Sequence, residues 1–347
     1  MNRRDFLKVG SVLSFTTPLF AKNDSRIHIT LPKKPFEYHE KKSKQKGGRV
    51  LIIGGIHGNE IGAYKAANML IDTKLTRGEM LIIPRSNFIS VLADVRGYNG
   101  DMNRKFEHIS KKDPDFYFVE LLKEAILQYK PDVVISMHDG YGYAIKNKNA
   151  WGQSVVIDEV KYKNFELLKE AKIIKDNANR HLRHKLAIIN TKTFTGIRHK
   201  EQKKALTGWC LKNDIKAFCI EASKQLPKIE DKIYTHLVML KEFFKLYNIE
   251  IEGGVDYLIK NIKKLNSVKS PKITLDINGH REIVSNSKII RVKSKSEIKV
   301  VSIEGQRGDF IVPHGVNLNW SSFHFNNLRF HVKNDYKTLY HIDIKRI

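Results

Sequence analysis

The chain has 347 residues, 41% of them hydrophobic and 10% aromatic, enough to bury one large core and a smaller second one. Its formal net charge of +25, from 62 Lys+Arg against 37 Asp+Glu, favours anionic partners. No helix-turn-helix, zinc-finger or RNA-binding signature accompanies that charge, so nucleic acid is not an expected partner.

The start, Met1-Asn2-Arg3-Arg4-Asp5-Phe6-Leu7-Lys8 followed by a mildly apolar stretch to Phe20, resembles a twin-arginine export signal over 1–21. A periplasmic address follows, although Leu19 suits cleavage after Ala21 poorly and leaves an uncut anchor open. Beyond this segment no apolar run is long enough for a transmembrane helix. Residues 22–48 read as a polar, basic lead-in with one edge strand. Strand and helix patterns then alternate. Strands are expected at 49–53, 79–83, 133–137, 154–157, 186–189 and 217–220. Helices are expected at 60–71, 115–130, 162–182, 203–212 and 228–247, and 87–112 reads as a long loop. Apolar strands of this kind predict an α/β fold over 22–250: a mixed, largely parallel sheet flanked by helices. Residues 251–270 read as a linker with a short helix. From Lys272 the apolar residues alternate, with Asn278-Gly279 and Glu304-Gly305 as turns, predicting a small all-β sandwich-like domain over 271–347.

Three of the apolar runs lead to an ionisable residue: His57 with Glu60, His138, and Glu221. Parallel strands bring their carboxyl ends to one edge, where these residues converge. Two imidazoles and a carboxylate, His57, Glu60 and His138, suit one zinc ion per chain with an open position for chemistry. Glu221 is then placed to act as general base. The loop between them carries Arg96 and the run Asp101-Met102-Asn103-Arg104. An arginine fork fits a carboxylate and can stabilise a developing oxyanion. Cys219 reads as a packed small hydrophobe, and pairing with Cys210 is left open. His181 and His184, among Arg180, Arg183 and Lys185, read as a solvated basic face.

The ordered set G-G-x-H-G-x-E, Arg96, D-x-N-R-x-F, His138 and A-F-x-I-E-A-S-K resembles the zinc carboxypeptidases of the carboxypeptidase A type over about 49–247. That resemblance makes His57, Glu60 and His138 the metal ligands and Glu221 the general base. It places Asn103 and Arg104 on the substrate's terminal carboxylate and Arg96 at the oxyanion. Spacing and the β domain resemble most the periplasmic D,L-carboxypeptidases that trim peptidoglycan stem peptides in curved and helical bacteria. These remove meso-diaminopimelate from muramyl tripeptide. One departure is His57, a position at which that subfamily can carry glutamine. Tyr141, Tyr143 and Tyr234 are candidates for covering the substrate, and Arg198 for a second substrate carboxylate. The β domain offers a contact surface for cell wall or protein. Two other readings stand beside this one: an amide hydrolase of the succinylglutamate desuccinylase or aspartoacylase type, and a non-catalytic cell-wall-binding protein.

Overall fold

Strands that are apolar on both faces must be covered on both faces, and the sequence meets this with helices on either side of an eight-stranded sheet. The computed structural model describes residues 25–347; the export signal read at 1–21 lies outside them. The first part of the chain runs through β1 (Ile27–Thr30), β2 (His39–Lys42), β3 (Gln45–Ile53), α1 (Ile61–Met69), β4 (Leu75–Ile83), α2 (Phe88–Ala93), α3 (Phe116–Tyr129) and β5 (Val133–Gly140). It continues through β6 (Ser154–Ile157), α4 (Leu167–Ala178), β7 (Ala187–Asn190), α5 (Leu206–Lys212), β8 (Ala217–Ser223), α6 (Ile229–Leu246) and β9 (Glu250–Ile251).

The strand order is β2-β4-β3-β5-β8-β6-β7, with β9 on β4. The centre, β4-β3-β5-β8, is parallel. Alternation within β3 sends Val50 and Ile52 to one core, with Ala63, Ala67, Leu237 and Phe243 of α1 and α6. Leu51 and Ile53 face the other, with Leu122 and Ile126 of α3 and Leu206 of α5. The long loop expected at 87–112 contains α2, whose Asn87 caps it by accepting from the Ser90 amide at 3.2 Å, and a 3-10 turn at Met102–Arg104. Six residues are too few for helical periodicity to show in sequence. The helix expected from 162 starts at Leu167.

After α7 (Gly254–Lys260) and α8 (Ile262–Leu265), eight strands follow: β10 (Lys272–Ile277), β11 (His280–Val284), β12 (Lys288–Val292), β13 (Glu297–Glu304), β14 (Asp309–Pro313), β15 (Ser322–Phe325), β16 (Asn327–Asn334) and β17 (Lys337–Arg346). They form two sheets, β11-β10-β13-β1-β15 and β12-β17-β16-β14, around a core that includes Ile29, Leu275, Ile298, Phe330 and Ile342. The lead-in therefore gives a strand to each part. β2 edges the α/β sheet, whereas β1 lies between β13 and β15 of the C-terminal sheet. Among the described residues no helix is long and apolar enough to cross a membrane.

Candidate metal centre and cleft

Because β3, β5 and β8 are adjacent and parallel, the residues at their carboxyl ends meet at one edge. His138 and Glu221 are direct register partners. Beyond β3 the chain turns through Gly55 at φ +68°, a left-handed conformation that glycine tolerates best. A Cβ on Gly58 would stand 1.9 Å from the Ser90 carbonyl oxygen, so the turn can pack on α2 only without a side chain there. Glu60 is the N-cap residue of α1, but its carboxylate makes no cap bond and reaches the histidines instead. Oε1 lies 3.0 Å from His57 Nδ1, and Oε2 2.8 Å from His138 Nδ1.

The chemistry of these donors fits a divalent cation. All three side chains are buried, and their ligand atoms lie within 4.8 Å of one another. The Asp101 carboxylate can only accept, so His57 Nε2 donates to Oδ1 at 3.0 Å, leaving Nδ1 as the lone-pair nitrogen of the neutral ring. His138 Nε2 lies 2.9 Å from Ser136 Oγ, which orients that ring likewise. The two Nδ1 atoms face each other at 3.0 Å. With both rings protonated at Nε2, two lone pairs so close repel unless a cation lies between them. On a tetrahedral zinc with bonds of about 2.0–2.1 Å, neighbouring ligand atoms stand at about this spacing. Burial opposes the charge of His57, yet Glu60 and Asp101 outweigh it and raise its pKa. Burial lowers that of His138. Against the cost of burial, the two rings hold the Glu60 carboxyl well below the usual range.

Glu221 faces this cluster with the opposite bias. Burial, then the Glu60 charge, push its carboxyl well above the ordinary range. Its Oε1 accepts the Cys219 thiol at 3.5 Å, while Oε2 is buried without a partner. Asn103 and Arg104 sit on the 3-10 turn, where Asp101 Oδ1 accepts the Asn103 amide at 2.9 Å. The Leu206 amide occupies Asn103 Oδ1 at 2.9 Å, so the NH2 end is the donor available to a ligand. Arg96 is half-exposed and bridges Asp101, at 3.1 Å, and Glu60, at 3.3 Å.

One cavity of about 420 Å³ is lined by His57, Glu60, Arg96, Asn103, Arg104, His138, Tyr141, Arg198 and Glu221, all site residues expected from the sequence. Tyr141 is highly exposed, and Arg198 donates to Asn149 Oδ1 at 2.7 Å. Tyr143 and Tyr234 do not line the cavity: Tyr143 packs on the His184 ring, and the Tyr234 hydroxyl donates to the His181 carbonyl. Cys210 and Cys219 are both free. Sequence reasoning missed Asp139 and His236. Asp139 accepts the Gly62 amide at 2.7 Å and pairs with His236 Nε2 at 2.9 Å, fixing the first turn of α1, and so Glu60, against β5. Adjacency to His138 was a signal for Asp139; His236, on a buried helix face, had none.

A sequence profile of the family described as carboxypeptidase controlling helical cell shape, catalytic, matches residues 27–266. No curated protein matches the chain in sequence. Among solved structures, the chain is similar to a glutamine-to-histidine variant of the cell shape determinant protein Csd4 from Helicobacter pylori. The TM-score is 0.61 at 20% identity, over 90% of this chain and 100% of that one. Similar too are tripeptide-bound Csd4, with a TM-score of 0.60 at 20% identity over the same shares, and the mDAP-bound form of Csd4, called a D,L-carboxypeptidase. The last has a TM-score of 0.58 at 20% identity over 89% of this chain and 100% of that one. The shared feature at this identity is the fold.

Proposed function

The chain belongs to the family of carboxypeptidases controlling helical cell shape, and from that premise we propose that it is a zinc-dependent D,L-carboxypeptidase releasing meso-diaminopimelate from muramyl tripeptide. The observation that carries this reading is the buried, unpartnered Oε2 of Glu221 in one cavity with the His57–Glu60–His138 cluster, Asn103 and Arg104. The solved Csd4 structures bound to a tripeptide and to mDAP support the choice of substrate.

His57, Glu60 and His138 would hold the zinc, which when bound supplies Lewis acidity to the scissile carbonyl and acidifies water. Asn103 and Arg104 grip the substrate's terminal carboxylate, which makes the enzyme an exopeptidase because only a chain end offers that group. Arg96 stabilises charge on the carbonyl oxygen as water adds. Glu221 Oε2, bare and buried, takes the water's proton and returns it to the departing amine. Arg198 meets the second carboxylate of the leaving residue, and Tyr141 covers the bound peptide. We place the enzyme in the periplasm on the strength of its twin-arginine start, with 22–250 apart from β1 as the catalytic domain and 271–347, completed by β1, as a β domain facing wall or protein.

The test is to incubate the purified, zinc-loaded protein with muramyl tripeptide and assay free diaminopimelate. Release leaving a dipeptide is expected. A protein that binds zinc, melts cooperatively and releases nothing would overturn the reading.

A further inference from the structure

Two buried carboxylates line the cleft with no cation among their hydrogen-bond partners. One is Glu221. The other is Asp158, directly after β6 and 4% exposed. Its Oδ1 accepts the Thr193 hydroxyl at 2.5 Å, and Thr191 and Thr207 complete a ring of hydroxyls around it. Other buried acids have a cation or imidazole partner, Asp115 with Lys105, Asp139 with His236 and Glu60 with His57 and His138, while the adjacent Glu159, off the cavity, is held by amides. Burial raises the Asp158 carboxyl, and the hydroxyls offset this only in part. A carboxylate kept in a cavity without its cation is matched by a cation that arrives with the ligand. Arg198 lines the same cavity. Its loop is fixed by Glu159, which accepts the Phe194 and Thr195 amides at 2.8 and 2.9 Å. A buried carboxylate and an exposed guanidinium lining one cavity complement a zwitterion.

We infer that Asp158 is a specificity-determining residue that accepts the side-chain ammonium of the leaving residue, beside Arg198 on its carboxylate. The inference rests on the proposed carboxypeptidase reading and assigns the residue that selects its diamino dicarboxylic leaving group. Lysine offers the ammonium alone and 2-aminopimelate the carboxylate alone, so neither fills both places.

Product binding tests this without turnover. Calorimetry on the zinc-loaded protein should show meso-diaminopimelate binding about 10-fold or more tighter than 2-aminopimelate, the scale of one charge-assisted hydrogen bond. Asp158→Asn keeps an oxygen for Thr193. It should weaken diaminopimelate by a similar factor and leave 2-aminopimelate within about twofold. Glu201→Gln, at an exposed cavity-lining carboxylate already paired with Lys204 at 2.9 Å, should change neither. Wild-type protein that does not distinguish the two ligands, an Asp158→Asn loss shared equally by both, or an effect confined to Glu201→Gln would each overturn the inference. Discrimination that persists in a protein unable to hydrolyse tripeptide would sink the proposed function and leave the binding site standing. Hydrolysis without discrimination would do the reverse.

Discussion

A general base works best when one oxygen is tethered and the other is bare, and Glu221 has this asymmetry, with Cys219 on Oε1 and nothing on Oε2. Glu221→Gln keeps the shape and removes the proton acceptor. Turnover on muramyl tripeptide should fall about 10²–10⁴-fold while zinc content and melting temperature hold. Retained turnover would remove Glu221 from the mechanism. Asp101 acts one bond further out, orienting His57 through Nε2. Asp101→Asn should weaken zinc binding about 10–100-fold in chelator competition. Unchanged affinity would deny Asp101 that orienting role. The cluster residues were legible because each terminates or closely follows an apolar run, where the sheet edge must be. Asp158 also follows such a run, yet its significance depends on Thr191, Thr193 and Thr207, which only the folded chain brings around it. His236 likewise acquires meaning only from Asp139, 97 positions away.

At the level of elements, the His57–Glu60–His138 cluster depends on how closely the turn after β3 packs on α2. Gly58 is where that packing is tightest. A methyl there must displace the backbone at Ser90, and overpacking of this kind costs about 1–3 kcal/mol. Gly58→Ala should lower the urea midpoint at unchanged slope and weaken zinc binding along with it, since His57 lies next door. A stable variant with full zinc affinity would show that the turn can give way. The parallel strands β3, β5 and β8 were readable because sheets buried on both faces demand unbroken apolar runs. α2 was not, being shorter than two helical turns. β1 was misread as part of a lead-in because strand pairing is non-local. Its alternating burial fits either sheet, and only its partners β13 and β15, far along the chain, decide.

Across the whole molecule, the α/β body and the β domain are joined by a buried ionic knot rather than by apolar surface alone. Asp335, at the β16–β17 turn, is fully buried and bonds Arg85 Nε at 2.5 Å and Lys65 Nζ at 2.8 Å. Arg85 also reaches Glu37 at 3.1 Å and Asn68 of α1 at 3.0 Å. Lys65 and Asn68 belong to the helix that Glu60 begins, so the β domain braces the element that presents Glu60 to the candidate metal cluster. Removing one partner strands the others' charge without water, which costs about 3–5 kcal/mol. Asp335→Ala should therefore lose that much in urea unfolding, whereas removing the exposed Lys74–Glu252 pair should cost about 1 kcal/mol or less. The knot also sets an acid limit. Burial alone would raise the Asp335 carboxyl, but Arg85 and Lys65 outweigh it and hold it below its ordinary value. A depressed carboxyl contributes its stability fully above the unfolded value of about 3.9 and loses it as pH falls through the lower folded value. Wild-type stability should thus decline below about pH 4 more steeply than that of Asp335→Ala, which has no such proton to take up. Parallel pH profiles of the two proteins would contradict the knot's role and leave the joint to apolar contacts such as Phe88 against Phe310.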